Sequence, residues 1–82
     1  METSEIFDRV IKILKPYVRA EEAFEKVTND TNLIKDLKIN SSRLVDIVLA
    51  FEDDFDIEIE DEEADVVRTV GEAVKMIQKK IS

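Results

Sequence analysis

The chain of 82 residues contains no cysteine and no histidine. Without cysteine there can be no disulfide framework, thiolate metal site or cysteine nucleophile, and the redox compartment stays open. Without histidine the usual neutral-pH general base and the commonest zinc ligand are gone, so catalysis would have to run on carboxylates, lysines, hydroxyls or the single Tyr17. The expectation is a protein that is not an enzyme. One glycine and one proline leave few breaks for hairpins, while 44% apolar residues suffice for a packed core, so helices joined by polar segments are indicated. No apolar run approaches membrane-spanning length, and the opening Met-Glu-Thr-Ser-Glu lacks the basic and apolar regions of a secretory signal. A cytoplasmic protein without membrane insertion is expected. A chain of this size forms one domain, residues 1–82, and buries roughly 60–65% of its unfolded surface, which argues against a deep enclosed active site.

The net charge is −8, which speaks against nucleic acid as a partner because phosphate binding needs clustered Lys and Arg. Its distribution is more informative than its total. From Leu44 to Asp65 there are eleven acids and no Lys or Arg, so the remainder of the chain carries +3. A run of one sign can be a solvated face, and it can equally steer a basic partner.

Apolar residues Ile6, Phe7, Val10, Ile11, Ile13 and Leu14 recur at spacings of three and four, which predicts an amphipathic helix over Ser4 to Lys15, capped by Ser4 and ended by Pro16. From Tyr17 to Asn40 the pattern weakens to a long connection anchored by Val18, Phe24, Val27, Leu33, Ile34, Leu37 and Ile39, with a helical turn near Glu21 to Phe24. Leu44, Ile47, Val48 and Phe51 stand at i, i+3, i+4 and i+7 and predict a helix over Ser41 to Asp54, with Asn40 or Ser41 as its cap. Asp56-Ile-Glu-Ile alternates like a strand but has no partner strand, so it reads as a loop with Ile57 and Ile59 turned inward. Asp61 to Val67 predicts one short helix with acids at its positive end. Thr69-Val-Gly-Glu72 has capping-box spacing and opens a last helix with a buried stripe of Val70, Ala73, Val74, Ile77 and Ile81. The fold class is all-α, a small bundle of three longer helices and one short one.

Ser41 stands where the clearest helix starts, beside the acidic stretch and after a polar connection. An exposed hydroxyl there would place an attached phosphate against the helix N–H groups, although a serine at that position often serves only as a cap. The segment Asp36-Leu37-Lys38-Ile39-Asn40-Ser41-Ser42 resembles the modification site of acyl carrier proteins, which usually reads Asp-Leu-Gly-x-Asp-Ser-Leu. The resemblance continues through Phe51-Glu-Asp-Asp-Phe-Asp-Ile-Glu-Ile59, Asp61-Glu-Glu-Ala64 and Thr69-Val-Gly-Glu-Ala-Val74.

That resemblance implies an acyl-carrier-like fold and a 4'-phosphopantetheine arm on Ser41, taken from coenzyme A by a separate magnesium-dependent phosphopantetheinyl transferase. Acyl groups would then be held as thioesters for fatty acid, lipid or related biosynthesis. It also implies a monomer whose acidic face, Asp46, Glu52, Asp53 and Asp54, meets basic docking patches on acyl-transferring or acyl-modifying enzymes. The stripe of Ile47, Val48, Phe51, Ile59, Val67, Val70, Val74 and Ile77 could part around an acyl chain. Asn40, Lys38 and Ser42 depart from the usual residues, and Arg43 adds a cation in the partner-facing surface, which suggests a specialised carrier with dedicated partners. Two other readings share these features: an acidic helical adaptor without a prosthetic group, and a carrier for aminoacyl or polyketide units. A calcium-binding hand starting at Asp54 fails, because Ile59 stands where the loop needs Gly and Asp65 where it needs a bidentate Glu. No metal site is expected.

Overall fold

A computed structural model describes residues 2–81. Ile6, Val10 and Leu14 recur every fourth residue and form the fully buried edge of the first helix, α1 (Thr3–Leu14). Ser4 does not cap it: the helix starts one residue earlier, and Glu2 occupies the cap position without a side-chain bond. The start is held by tertiary contact instead, Thr3 Oγ1 donating to Gln78 Oε1 at 2.7 Å. The α-helical bonds end at Leu14 and give way to a 3-10 turn, Lys15–Tyr17, whose early Pro16 stands where a missing N–H costs no bond.

The connection that follows contains the short helix α2 (Glu21–Glu25), and its Leu33, Leu37 and Ile39 are buried as the sequence indicates. Ile34 is not an anchor; it is 42% exposed. The Asn32 side chain accepts hydrogen bonds from the N–H groups of Ile34 and Lys35 (3.0 and 2.8 Å), and this turn directs Ile34 outward.

The central helix begins as a 3-10 turn, Ser41–Arg43, and becomes α-helical at α3 (Leu44–Phe55), so the expected single helix has two parts. Ile47, Phe51 and Phe55 are its buried edge, and Asp56 ends it in the left-handed region at φ 54°. Ile59 is buried and Ile57 half-buried in the loop beyond. α4 (Asp61–Asp65) stops two residues short of Val67 and is closed by a capping box in which Glu63 accepts from Glu60 N–H at 3.2 Å. α5 (Val70–Ile81) carries the expected capping box, with Thr69 N–H donating to Glu72 Oε1 and Glu72 N–H to Thr69 Oγ1. Val70, Ala73, Val74 and Ile77 are buried, whereas Ile81 is half-buried at the end of the stripe.

α1 packs against α5 and α3, and α3 against α5, so the three helices of 12 residues build the core, with the two five-residue helices in the connections. The long connection is sewn to the start of α5 by three backbone bonds: Leu33 N–H to Arg68 C=O (2.9 Å), Val70 N–H to Thr31 C=O (3.0 Å) and Gly71 N–H to Asn29 C=O (2.8 Å). The last of these needs glycine. A Cβ on Gly71 would stand 2.8 Å from the Asn29 oxygen.

Candidate functional site

The start of α3 is shaped by Asn40. Its Oδ1 accepts both the Ser42 N–H (3.0 Å) and the Ser42 hydroxyl (2.9 Å), which caps the 3-10 turn and ties the Ser42 side chain to that of Asn40. Ser41 is exposed, and its hydroxyl makes no hydrogen bond among the described residues. Two adjacent serines are thereby made unequal. Asn40 supplies the acceptor oxygen that an aspartate would supply, so the cap survives that departure. Lys38 has φ 58°, the left-handed conformation that glycine adopts without strain, and this explains physically why a glycine belongs three residues before the serine.

Ser41 is one of the residues lining an open cleft of about 810 Å³ between α3, α4 and the Asn32–Lys35 turn. Of the apolar stripe expected to surround a cargo, Ile47, Val48, Phe51, Ile59 and Val67 line this cleft. Val70, Val74 and Ile77 do not; they are buried in the central core. Leu44, Val45, Leu49, Ala64 and Met76 also contribute, as do Lys35 and Arg68. The expected stripe already held Ile59 and Val67, but periodicity could not find the Asn32–Lys35 turn or Arg68, because these meet α3 only in the folded chain.

The four acids of the expected docking face have different neighbours. Asp53 is exposed. Asp46 meets Arg43 at 3.3 Å. Asp54 is engaged by Arg9, whose Nε reaches Oδ2 at 2.8 Å and whose Nη2 donates to the Asp54 carbonyl at 2.8 Å, with the guanidinium 4.7 Å from the Phe55 ring centroid. Glu52 is half-buried and accepts the Ile59 N–H at 2.9 Å, so it closes the loop after α3. On α4, the same Glu63 Oε1 that caps the helix also meets Lys80 Nζ of α5 at 2.6 Å. The hydrogen bond from Lys80 holds the Glu63 carboxyl below its ordinary range, and the same bond raises Lys80.

An accessible serine at the start of a helix, an apolar cleft beside it and an acidic flank define a carrier of covalently attached cargo. Residues 8–77 match the family described as phosphopantetheine attachment site. The chain is 44% identical over 78 residues to the acyl carrier protein of Phenylobacterium zucineum (strain HLK1), covering 95% of this chain and 96% of the relative. It is 46% identical over 77 residues to the acyl carrier protein of Caulobacter vibrioides (strain NA1000 / CB15N), covering 94% and 96%. The chain belongs to the acyl carrier protein family. It is a carrier and not a catalyst, it bears 4'-phosphopantetheine, and it interacts with a phosphopantetheinyl transferase and with acyl-handling enzymes. No helix among the described residues is long and apolar enough to cross a membrane.

Proposed function

We propose that residues 1–82 act as one monomeric carrier domain in the cytoplasm and that Ser41 is the residue that carries the arm. The observation that carries this reading is the contrast between the two exposed serines: the Ser41 hydroxyl, beside the cleft, makes no hydrogen bond among the described residues, while the Ser42 hydroxyl donates to Asn40 Oδ1 at 2.9 Å. In the transfer, Ser41 Oγ forms the new bond to the pantetheine-bearing phosphorus of coenzyme A, the P–O bond of the pyrophosphate bridge breaks so that adenosine 3',5'-bisphosphate leaves, and the hydroxyl proton passes to a base of the transferase. Once attached, the arm supplies a thiol that holds the acyl group as a thioester. The chain's own contribution is placement: Asn40 fixes the turn, and the cleft takes up apolar cargo, which favours acyl groups over polar aminoacyl units.

Asp46, Glu52, Asp53 and Asp54, with Arg43, form the partner-facing surface, and basic patches on acyl-handling enzymes are its complement. Asp53 is the acid most available to a partner, since Glu52 and Asp54 already serve the fold. Tethering holds each cargo at high local concentration beside a docked active site. The test is intact-protein mass spectrometry of wild type, Ser41→Ala and Ser42→Ala after incubation with coenzyme A, magnesium and a broad-specificity transferase. Wild type and Ser42→Ala should each gain one phosphopantetheinyl group and Ser41→Ala none. A modified Ser41→Ala would overturn the assignment.

A further inference from the structure

A transferase has to bring its reacting centre to Ser41 Oγ, so the residues around Ser41 form the contact whatever the rest of the two surfaces do. The sign of the charge changes just beyond that residue, between Arg43 and Asp46. Residues 34–43 hold Lys35, Lys38 and Arg43 against the single acid Asp36, and Asp36 turns its carboxylate back to the Asn32 N–H at 2.8 Å. Residues 44–65 hold acids only. Lys35 and Arg68 line the cleft that Ser41 borders, on segments joined by the 2.9 Å bond from Leu33 N–H to Arg68 C=O. Lys35, Lys38 and Arg68 make no ion pair among the described residues. Arg43 does pair with Asp46, but the two side chains are 63% and 47% exposed, and such surface pairs are weak enough to yield to a partner. Between the two signs, Val45 (65% exposed) and Leu49 (54%) stand one turn apart on α3 at the rim of the same cleft.

We infer that the transferase acting on this chain carries an acidic side chain at the lip of its active site, seated against Arg43 and Lys35, beside an apolar contact on Val45 and Leu49. Basic residues of that enzyme lie further out, over Asp46 and Asp53. This inference rests on the assignment of Ser41 and deepens it. A face of one sign would admit any enzyme that reads acids, whereas a face that changes sign just beyond the reacting residue repels a basic lip and admits an acidic one.

The experiment measures the rate of phosphopantetheine transfer from coenzyme A by the transferase of the source organism and by a broad-specificity bacterial one. The substrates are wild type, Arg43→Lys, Arg43→Asp and Lys35→Glu, each checked for folding by far-ultraviolet circular dichroism and assayed at low and high salt. For the source organism's enzyme, Arg43→Asp and Lys35→Glu should each raise KM about fivefold to tenfold at low salt, less at high salt, with Arg43→Lys close to wild type. An unchanged or lower KM for both acidic variants would overturn the inference while leaving the Ser41 assignment standing. If the group added to wild type is found on Ser42, the Ser41 assignment fails and this inference with it.

Discussion

Lys38 and Gly71 invert the usual use of glycine in this chain. Lys38 takes a left-handed backbone at φ 58°, where a Cβ costs about 1–2 kcal/mol, while glycine's extra unfolded-state freedom gives back about 0.5–1 kcal/mol of that advantage. Lys38→Gly should therefore raise stability by about 0.5–1 kcal/mol in a denaturant titration. The single glycine is spent elsewhere, on the 2.8 Å approach between Gly71 N–H and the Asn29 carbonyl. Gly71→Ala should cost about 1–3 kcal/mol, because either the loop at Asn29 or the first turn of α5 must shift. Neither position was legible in the sequence. A lysine gives no sign of a left-handed backbone, and the Asn29 contact joins residues 42 positions apart. Asn40 was legible, because a side-chain acceptor just before a helix has a local reason to be there. Asn40→Ala should cost about 1 kcal/mol in the same titration.

Among the elements, the 12-residue helices were readable from apolar spacing because each buries one edge against the others, and the packing only sharpens what the period predicts. The shorter pieces were less so. α4 contains no buried residue, so no stripe marks its end, and it is fixed by the Glu60–Glu63 capping box and by the Glu63–Lys80 ion pair to α5. That tether has a defined pH window. The Glu63 carboxyl lies below its ordinary value of 4.5 in the folded chain, so its contribution is present above that value and disappears as pH falls through the depressed one. Lys80 lies above its ordinary 10.5, so its contribution is present below that value and is lost as pH climbs through the raised one. Backbone amides of α4 should exchange faster in Glu63→Gln than in wild type at neutral pH. The difference should vanish in acid once the wild-type Glu63 is protonated and its ion pair with Lys80 is lost, and its persistence there would show that another contact holds α4.

For the molecule as a whole, the cleft beside Ser41 is assembled from α3, α4, loop residues and Met76 of α5; its α3 side, Ile59 and Val67 were visible in the sequence, and the Asn32–Lys35 turn was not. The charge run was visible in full, but its division of labour was not: Glu52 binds the Ile59 N–H across the loop after α3, and Asp54 pairs with Arg9, 45 positions away. What remains exposed around Asp46 and Asp53 acts through a field that salt screens within about 8 Å at physiological ionic strength. The KM for an acyl-handling partner should therefore rise with salt while the maximal rate changes little, and an insensitive KM would assign docking to the apolar rim of Val45 and Leu49. Of the two neighbouring hydroxyls, that of Ser41 is the one proposed to receive the arm. Fragmentation mass spectrometry of the modified wild-type chain, resolving Ser41 from Ser42, tests it directly. The account predicts the added group on Ser41 alone; the group on Ser42 would contradict it.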